Sequence, residues 1–167
     1  MALSIALLTI SDTRSLADDS SGDQLQRSLE AAGHRLHERQ LCLDDRYQIR
    51  RELSRWIADP AVDVVITSGG TGLTGRDGTP EAVAPLLDKT IEGFGELFRV
   101  LSFESIGTST LQSRCLAGVA NGTFVFVLPG SLDAVTTAWD RLIRAQLDEQ
   151  TRPCLLYTSD AADDCVC

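Results

Sequence analysis

The sequence predicts a three-layer α/β/α fold with a mostly parallel central sheet. Three segments are almost entirely apolar, which is typical of strands buried on both faces of such a sheet; they are residues 3–10, 62–67 and 123–128. Segments with helical spacing of apolar residues alternate with these strands along the chain. The chain has 167 residues, the size of one domain. We therefore predict a single domain over residues 1–153.

The elements before a glycine-rich loop alternate regularly. They are strand 3–10, helix 21–32, strand 35–43, a helix whose apolar stripe spans 49–57, and strand 62–67. Gly33 suits the position after the first helix, and Asp44 or Asp45 can cap the second. No Lys or Arg precedes the first apolar segment, so we interpret it as a strand rather than a signal peptide.

The elements after the loop follow the same pattern. They are a helix that begins at 79–80, a helical stripe at 94–101, a short helix over 110–115, strand 123–128 and a last helix over 131–150. Thr79 is the predicted N-cap of the first of these helices, with Pro80 at its first helical position. Ser131 is the predicted N-cap of the last helix.

The composition argues against several classes of partner. The formal net charge is −9 and Lys89 is the only lysine, whereas non-specific nucleic-acid binding needs clustered cations. No apolar run approaches the roughly 18 residues of a membrane span. The five cysteines form no CxxC pair and no zinc-ligand spacing with histidine. We expect free thiols in a cytoplasmic protein that binds neither nucleic acid nor membrane.

The C-terminal segment departs from this pattern. Residues 154–164 read CLLYTSDAADD, which resembles the translation of a transposase adapter used in sequencing libraries. We interpret residues 154–167 as non-native sequence that interrupts the natural chain near Pro153; the alternative is a natural acidic tail. The segment is therefore excluded from the fold and function predictions.

Ligands of parallel α/β sheets bind beyond the carboxyl ends of the strands. Three such ends carry polar or glycine-rich sequence, at residues 9–12, 67–77 and 129–131. The second belongs to the loop SGGTGLTGRDG, residues 68–78. Its glycines spell GxGxxG, but the helix signal follows the last of them, unlike in a dinucleotide fingerprint. A Walker phosphate loop is excluded because no Lys-Ser or Lys-Thr follows.

The glycine loop nevertheless suits an anionic ligand. Successive amides in a glycine turn can form a nest for phosphate, and Arg76 could grip a phosphate in bidentate fashion. Asp77 suits a hard cation such as Mg²⁺ that bridges phosphate oxygens. The alternative is a surface turn without a ligand.

The loop and several spaced motifs resemble the family of molybdenum-cofactor proteins that includes MogA, MoaB and the pterin-binding domain of gephyrin. The motifs are TSGGTG at 67–72, RDGTPEA at 76–82, GFGE at 93–96, GTS at 107–109, LQSR at 111–114 and LPGS at 128–131. Within the family, SFESIGTSTLQSR at 102–114 and TRP at 151–153 are most similar to the MoaB branch.

The resemblance implies a homotrimer or homohexamer that binds molybdopterin, a pterin dithiolene. Some family members transfer AMP from Mg-ATP to molybdopterin and release pyrophosphate. Two aspartates tied to that reaction match Asp77 and Asp44, with Asp45 as the neighbouring alternative to Asp44. We predict that Asp44 and Asp77 are catalytic and hold Mg²⁺ together with ATP. The predicted binding residues are Ser11, Ser68, Gly69, Gly70, Thr71, Gly72, Arg76, Thr108, Ser109, Pro129, Gly130 and Ser131.

These features are compatible with more than one function. The first is a molybdopterin adenylyltransferase, and the second is a catalytically weak or inactive carrier that binds molybdopterin in the same pathway. The glycine loop suits both, whereas Asp44 and Asp77 favour the enzyme. A phosphate-binding regulator outside this pathway rests only on the proposed anion nest.

Overall fold

The computed structural model describes residues 1–156 and has a six-stranded sheet with helices on both faces. The strands are β1 (Ser4–Ile10), β2 (Arg35–Cys42), β3 (Val64–Ser68), β4 (Lys89–Thr90), β5 (Leu116–Ala120) and β6 (Thr123–Leu128). The helices are α1 (Ser20–Ala31), α2 (Arg46–Ile57), α3 (Thr79–Val83), α4 (Glu92–Ile106), α5 (Leu132–Ala138) and α6 (Arg144–Gln146). The predicted α/β class is confirmed.

Strands β2, β1, β3 and β6 are neighbours in that order and run parallel, so their carboxyl ends share one edge. Strands β1, β3 and β6 are buried along their whole length, as their apolar sequences predict. Successive side chains alternate between the faces. Leu7 belongs to the apolar cluster that includes residues of α1, α4 and α5, whereas Leu8 belongs to the cluster that includes residues of α2 and α3. Two apolar clusters therefore hold the three layers together.

Strands β4 and β5 are absent from the predicted set. Strand β5 pairs antiparallel with β6, and β4 pairs antiparallel with β5. Strand β5, with the sequence LAGVA, has a glycine at its centre because β4 passes close to it. A Cβ on Gly118 would lie 2.6 Å from the Lys89 carbonyl oxygen. Asn121 and Gly122 turn the chain between β5 and β6 with φ of 50° and 77°. An Asn-Gly pair between apolar runs is the signal that could have predicted this hairpin.

The start of α2 decides between two adjacent aspartates. The Asp45 carboxylate accepts hydrogen bonds from the Tyr47 and Gln48 amides at 3.0 and 2.9 Å, so Asp45 is the N-cap. Asp44 is thereby left outside the capping interaction, and its side chain is available for another role.

Three helix predictions are wrong in detail. Thr79 is not an N-cap but the first residue of α3, because its Oγ1 donates to the Gly69 carbonyl at 3.0 Å within the buried base of the loop. The short helix predicted over 110–115 is a 3₁₀ helix at Gly107–Gln112. The last helix begins after its Ser131 cap as predicted, but it passes through a π-helical turn at Trp139–Ile143 and ends at Gln146 rather than at 150.

The described part of the C-terminal segment contacts the core. Cys154 is buried, and Leu155 and Leu156 pack against the apolar cluster of the α1, α4 and α5 face. The remainder of the segment interpreted as non-native, residues 157–167, lies outside the described residues. Within residues 1–156, none of the helices has the length and apolar character needed to cross a bilayer.

Candidate functional site

The three strand ends singled out in the sequence meet at one edge of the sheet, and the end of β2 joins them. The Ser11 amide donates to the Cys42 carbonyl at 3.0 Å, linking the segments after β1 and β2. The Gly69 amide donates to the Leu128 carbonyl at 3.0 Å, linking the segments after β3 and β6. Parallel pairing therefore brings together residues that lie far apart in sequence.

The first glycines of the loop are required by close packing. Gly69 and Gly70 have φ of 104° and 68°, which side-chain-bearing residues rarely adopt. A Cβ on Gly69 would lie 2.2 Å from the Ile10 carbonyl oxygen, and one on Gly70 would lie 2.7 Å from Asp44 Oδ2. The loop backbone thus lies directly against the end of β1 and against the Asp44 carboxylate.

The amides at the base of the loop are not equally available to an anion. The Gly69 amide is already donated to Leu128, and the Gly72 amide contributes to the lowered pKa of Asp77. Within residues 1–156, the amides of Gly70 and Thr71 make no backbone hydrogen bond outside the regular elements. Of the amides of residues 69–72 that could form an anion nest, those of Gly70 and Thr71 therefore remain available for an anion.

Asp44 faces the loop from the end of β2. Its Oδ1 accepts the Gly78 amide at 3.1 Å. Burial raises the pKa of Asp44, and the nearby negative charges of Asp77 and Asp12 raise it further, while the Gly78 amide opposes the shift. Asp44 is therefore a partly desolvated carboxylate among other carboxylates, which is a suitable environment for a cation.

Asp77 lies within the loop and faces Gly72. Its Oδ2 accepts hydrogen bonds from the Thr74 hydroxyl at 2.7 Å and from the Thr74 amide at 2.9 Å, and these lower the pKa of Asp77. A Cβ on Gly72 would lie 2.7 Å from Asp77 Oδ2. Asp44 and Asp77 thus flank the stretch from Gly70 to Gly72.

The two flanking aspartates do not form a complete metal site by themselves. Within residues 1–156, no group of three or more His, Cys, Asp or Glu side chains is arranged to hold a metal ion. Carboxylate oxygens are hard ligands that suit Mg²⁺, which commonly takes one or two carboxylates and completes its shell with substrate phosphates and water. Asp44 and Asp77 therefore fit a Mg²⁺ ion that arrives with a nucleotide.

Arg76 already has a partner. Its Nε and Nη2 donate to Asp12 Oδ2 and Oδ1 at 2.9 and 2.8 Å, a bidentate ion pair that lowers the pKa of Asp12. Asp12 Oδ1 also accepts the Asp44 amide at 3.1 Å. Asp12 is a site residue that the sequence predictions missed, although it lies in the strand end at 9–12. One carboxylate therefore connects the tip of the glycine loop to the backbone of Asp44.

A cleft of about 270 Å³ adjoins the glycine loop. Thr71 and Gly72 line it from the loop, Pro129 and Ser131 from the end of β6, and other lining residues come from α4, the segment after it and α5. Lining residues that were not predicted include Phe98, Ser102, Ser105, Ile106, Gln112 and Ser113. The cleft has an apolar wall beside hydroxyl groups, as small-molecule sites commonly do.

The predicted serines keep hydrogens that they can donate. Ser11 Oγ accepts the Thr13 and Arg14 amides at 3.2 and 3.0 Å, and Ser131 Oγ accepts the Ala134 amide at 3.2 Å. A hydroxyl that accepts from a backbone amide still has one hydrogen for a ligand oxygen.

The remaining predicted residues differ in position. The Gly130 carbonyl accepts the Ser21 hydroxyl at 2.8 Å and the Arg14 guanidinium at 3.2 Å, which fixes the turn after β6. Ser68 is buried at the end of β3. Thr108 and Ser109 are exposed in the 3₁₀ helix and do not line the cleft, whereas their neighbours Ile106 and Gln112 do.

The sheet edge, the glycine loop, the two aspartates and the cleft are features of an α/β protein whose ligand site lies at its strand ends. Comparison with known proteins narrows this class. The model of the family described as "Probable molybdopterin binding domain" matches residues 6–149. The chain is 54% identical over 150 residues to molybdenum cofactor biosynthesis protein B of Escherichia coli K12, covering 90% of this chain and 88% of that protein. The chain belongs to the molybdopterin-binding family of MoaB and MogA.

Solved structures agree with this assignment. A crystal structure of a molybdenum cofactor biosynthesis protein B matches with a TM-score of 0.85 at 42% identity, covering 88% of this chain and 92% of that one. The tungsten cofactor synthesizing protein MoaB from Pyrococcus furiosus matches with a TM-score of 0.76 at 34% identity, covering 84% and 90%. The fold and the family named from the sequence motifs are thereby confirmed.

Proposed function

We propose that this protein acts in molybdenum cofactor biosynthesis, where it binds molybdopterin and transfers AMP from Mg-ATP to its terminal phosphate. The role in the pathway is supported by the names of its relatives. The transfer is supported by one observation above all: Asp44 lies against Gly70 and Asp77 lies against Gly72, so the two carboxylates flank the loop segment that lines the cleft. We further place this activity in the cytoplasm, in keeping with the free buried thiols Cys42 and Cys115.

The chain's own residues have three tasks in this reaction. Gly70 and Thr71 amides, with the Ser11 and Ser131 hydroxyls, orient the phosphates of the two anionic reactants. The cleft holds the pterin against Phe98 and Pro129. Asp44 and Asp77 would hold Mg²⁺, which when bound supplies positive charge to offset the repulsion between the phosphates. Alignment of the two reactants lowers the barrier further, because it converts an encounter into a step within one complex.

The test is pyrophosphate release from Mg-ATP by the full chain, with and without molybdopterin. Release is expected to require molybdopterin. Asp44→Asn and Asp77→Asn are each expected to slow it by about 10²–10³-fold, the usual cost of losing a group that acts on transition-state charge, while molybdopterin binding persists. Asp45→Asn is the matched control, because Asn can also cap α2.

Two outcomes would contradict the transfer. Molybdopterin binding without pyrophosphate release would favour the carrier function, in which the aspartates have no catalytic task. Equal loss of activity in Asp44→Asn and Asp45→Asn would indicate that the start of α2, rather than the Asp44 carboxylate, is what the reaction needs.

The assembly implied by the family resemblance is a homotrimer or homohexamer, and we propose that copies of this chain meet through α4. Four apolar side chains of this helix are each more than half exposed; they are Leu97, Val100, Phe103 and Ile106. Their three-residue spacing makes them wind around the exposed side of α4, and several exposed apolar side chains on one helix are typical of a contact with another protein surface.

A further inference from the structure

We propose that Arg114 is a positioning residue that holds the glycine loop, and with it Asp77, in place for the metal-assisted reaction. The proposal rests on the proposed function, because it assigns the residue that positions one of its two carboxylates. Arg114 itself touches neither Asp carboxylate. Its guanidinium acts on the backbone of the loop.

The contacts of Arg114 bracket the loop. Its Nε and Nη2 donate to the Gly72 carbonyl at 2.9 and 2.7 Å, and Nη2 also donates to the Asp77 carbonyl at 3.1 Å. Its Nη1 pairs with the Glu81 carboxylate at the start of α3. One guanidinium therefore contacts the backbone on both sides of the outer part of the loop, at Gly72 before it and at Asp77 after it.

The hydrogen bonds within the loop cannot fix its position relative to the rest of the protein. The Thr74 hydroxyl and amide donate to Asp77 Oδ2, and the Asp77 amide donates to the Thr74 carbonyl at 3.1 Å. These bonds join two residues of one loop, so they fix its shape and move with it. Its place relative to Asp44 has to come from bonds to residues outside the loop. The Arg76–Asp12 pair and the Gly78 amide bond to Asp44 supply two of these, and Arg114 supplies the bonds at Gly72 and Asp77.

The position of Arg114 also ties the loop to the cleft. Gln112 and Ser113, the two residues before it, line the cleft, and the Ser113 amide donates to the Thr110 carbonyl at 3.0 Å. The Arg114 side chain is largely sheltered, with 28% of it exposed. One short segment between α4 and β5 therefore contributes to the wall of the cleft and also holds the backbone of the loop at Gly72 and Asp77.

This task requires arginine rather than any cation. A guanidinium is a rigid planar fork with five donors, so it can serve two carbonyls and a carboxylate at once. A lysine ammonium is a compact charge on a flexible stem and cannot make the same set of hydrogen bonds to both carbonyls and the carboxylate. Arg114→Lys consequently retains the positive charge but loses the planar arrangement of donors that reaches Gly72 and Asp77 together.

The experiment compares Arg114→Lys and Arg114→Gln with the unchanged full chain. Amide hydrogen exchange of residues 72–78 is expected to rise at least about tenfold in both variants, because charge-assisted bonds that keep the loop closed are lost. Exchange in β1, β3 and β6 should stay unchanged. If Arg114→Gln fails to fold, Arg114→Lys decides. Arg51→Gln, an exposed arginine on α2, is the control and should match the unchanged chain.

A second measurement separates positioning from stability. Binding of Mn²⁺ in the presence of ATP, followed by electron paramagnetic resonance, is expected to weaken at least about tenfold in Arg114→Lys, as for a ligand held out of place. In the pyrophosphate assay, the half-saturating Mg²⁺ concentration should rise while molybdopterin affinity stays constant. Glu81→Gln removes only the ion pair and should perturb the loop less than Arg114→Lys.

The outcomes distinguish this proposal from the proposed function. Unchanged loop exchange or unchanged Mn²⁺ binding in Arg114→Lys would overturn the role of Arg114. An equally large effect of Glu81→Gln would overturn it as well, because the ion pair rather than the bracket would then hold the loop. Absence of pyrophosphate release by the unchanged chain would count against AMP transfer alone, since exchange and Mn²⁺ binding need no turnover.

Discussion

Asp44 and Asp77 flank the same short stretch of the glycine loop, yet their surroundings shift their pKa values in opposite directions. Burial and neighbouring carboxylates raise the pKa of Asp44, whereas hydrogen bonds from Thr74 lower the pKa of Asp77. In the folded state Asp44 therefore holds its proton more tightly than in the unfolded chain, and Asp77 holds its proton less tightly. Ionised Asp44 costs stability and ionised Asp77 contributes it.

This difference predicts opposite effects of two matched substitutions in metal-free buffer at neutral pH. Asp44→Asn is expected to raise the Tm, because it removes a disfavoured charge and its amide oxygen can still accept from Gly78. Asp77→Asn is expected to lower the Tm by a few degrees. Thermal unfolding followed by circular dichroism measures both.

The pH dependence of the Tm tests whether each ionised carboxylate stabilises or destabilises the fold. The cost of Asp44 is relieved as the pH falls through its raised pKa, so the gain in Asp44→Asn should disappear in acid. The contribution of Asp77 is present above the ordinary Asp pKa and is lost as the pH falls toward its lowered pKa, so the deficit of Asp77→Asn should also shrink. A Tm decrease of equal size in both variants at neutral pH would contradict the assigned environments.

At the scale of elements, the glycine loop depends on particular glycines rather than on glycine content. Gly70 has a positive φ, and a Cβ there would lie 2.2 Å from Thr79 Oγ1 and 2.7 Å from Asp44 Oδ2. Gly75 lies in the same loop, has no positive φ, and a Cβ there would meet nothing within 4 Å. The two positions form a natural pair for comparison.

Gly70→Ala is expected to destabilise the fold by at least about 1–2 kcal/mol, the cost of left-handed backbone for an L-residue, and to displace Asp44. Gly75→Ala should leave stability within experimental error of the unchanged chain. Urea unfolding gives the free energies, and the pyrophosphate assay reports on the site. Equal tolerance of both substitutions would show that the loop can rearrange around a side chain at Gly70.

The same elements show how far sequence reasoning reaches. Strands β1, β3 and β6 were predictable because strands buried on both faces have continuous apolar sequences. Which of Asp44 and Asp45 caps α2 was not predictable from the sequence. Adjacent aspartates have the same capping propensity, and only the backbone geometry distinguishes them. The Asp12–Arg76 pair joins residues 64 positions apart in the chain, so no local pattern encodes it. Arg114 lay in a matched motif, but its bonds to loop carbonyls depend on tertiary packing.

At the scale of the whole molecule, the proposed assembly makes a testable demand on α4. Val100→Glu and Phe103→Glu place charges on the exposed apolar face without entering the core, so both should reduce the mass measured by light scattering toward that of one chain. Tyr47→Glu changes a still more exposed residue on α2, in the opposite layer, and serves as the control. If the α4 variants keep the mass of the unchanged protein, that face is not the contact.

The two outer strands of the sheet also limit how copies can join. Strand β4 has only two residues, and β2 presents Glu38 and Arg39, each held in an ion pair. Short or charged edges discourage strand-by-strand addition of a neighbouring sheet. Growth into continuous β-sheet aggregates is thereby disfavoured, and self-association is left to the helical layers.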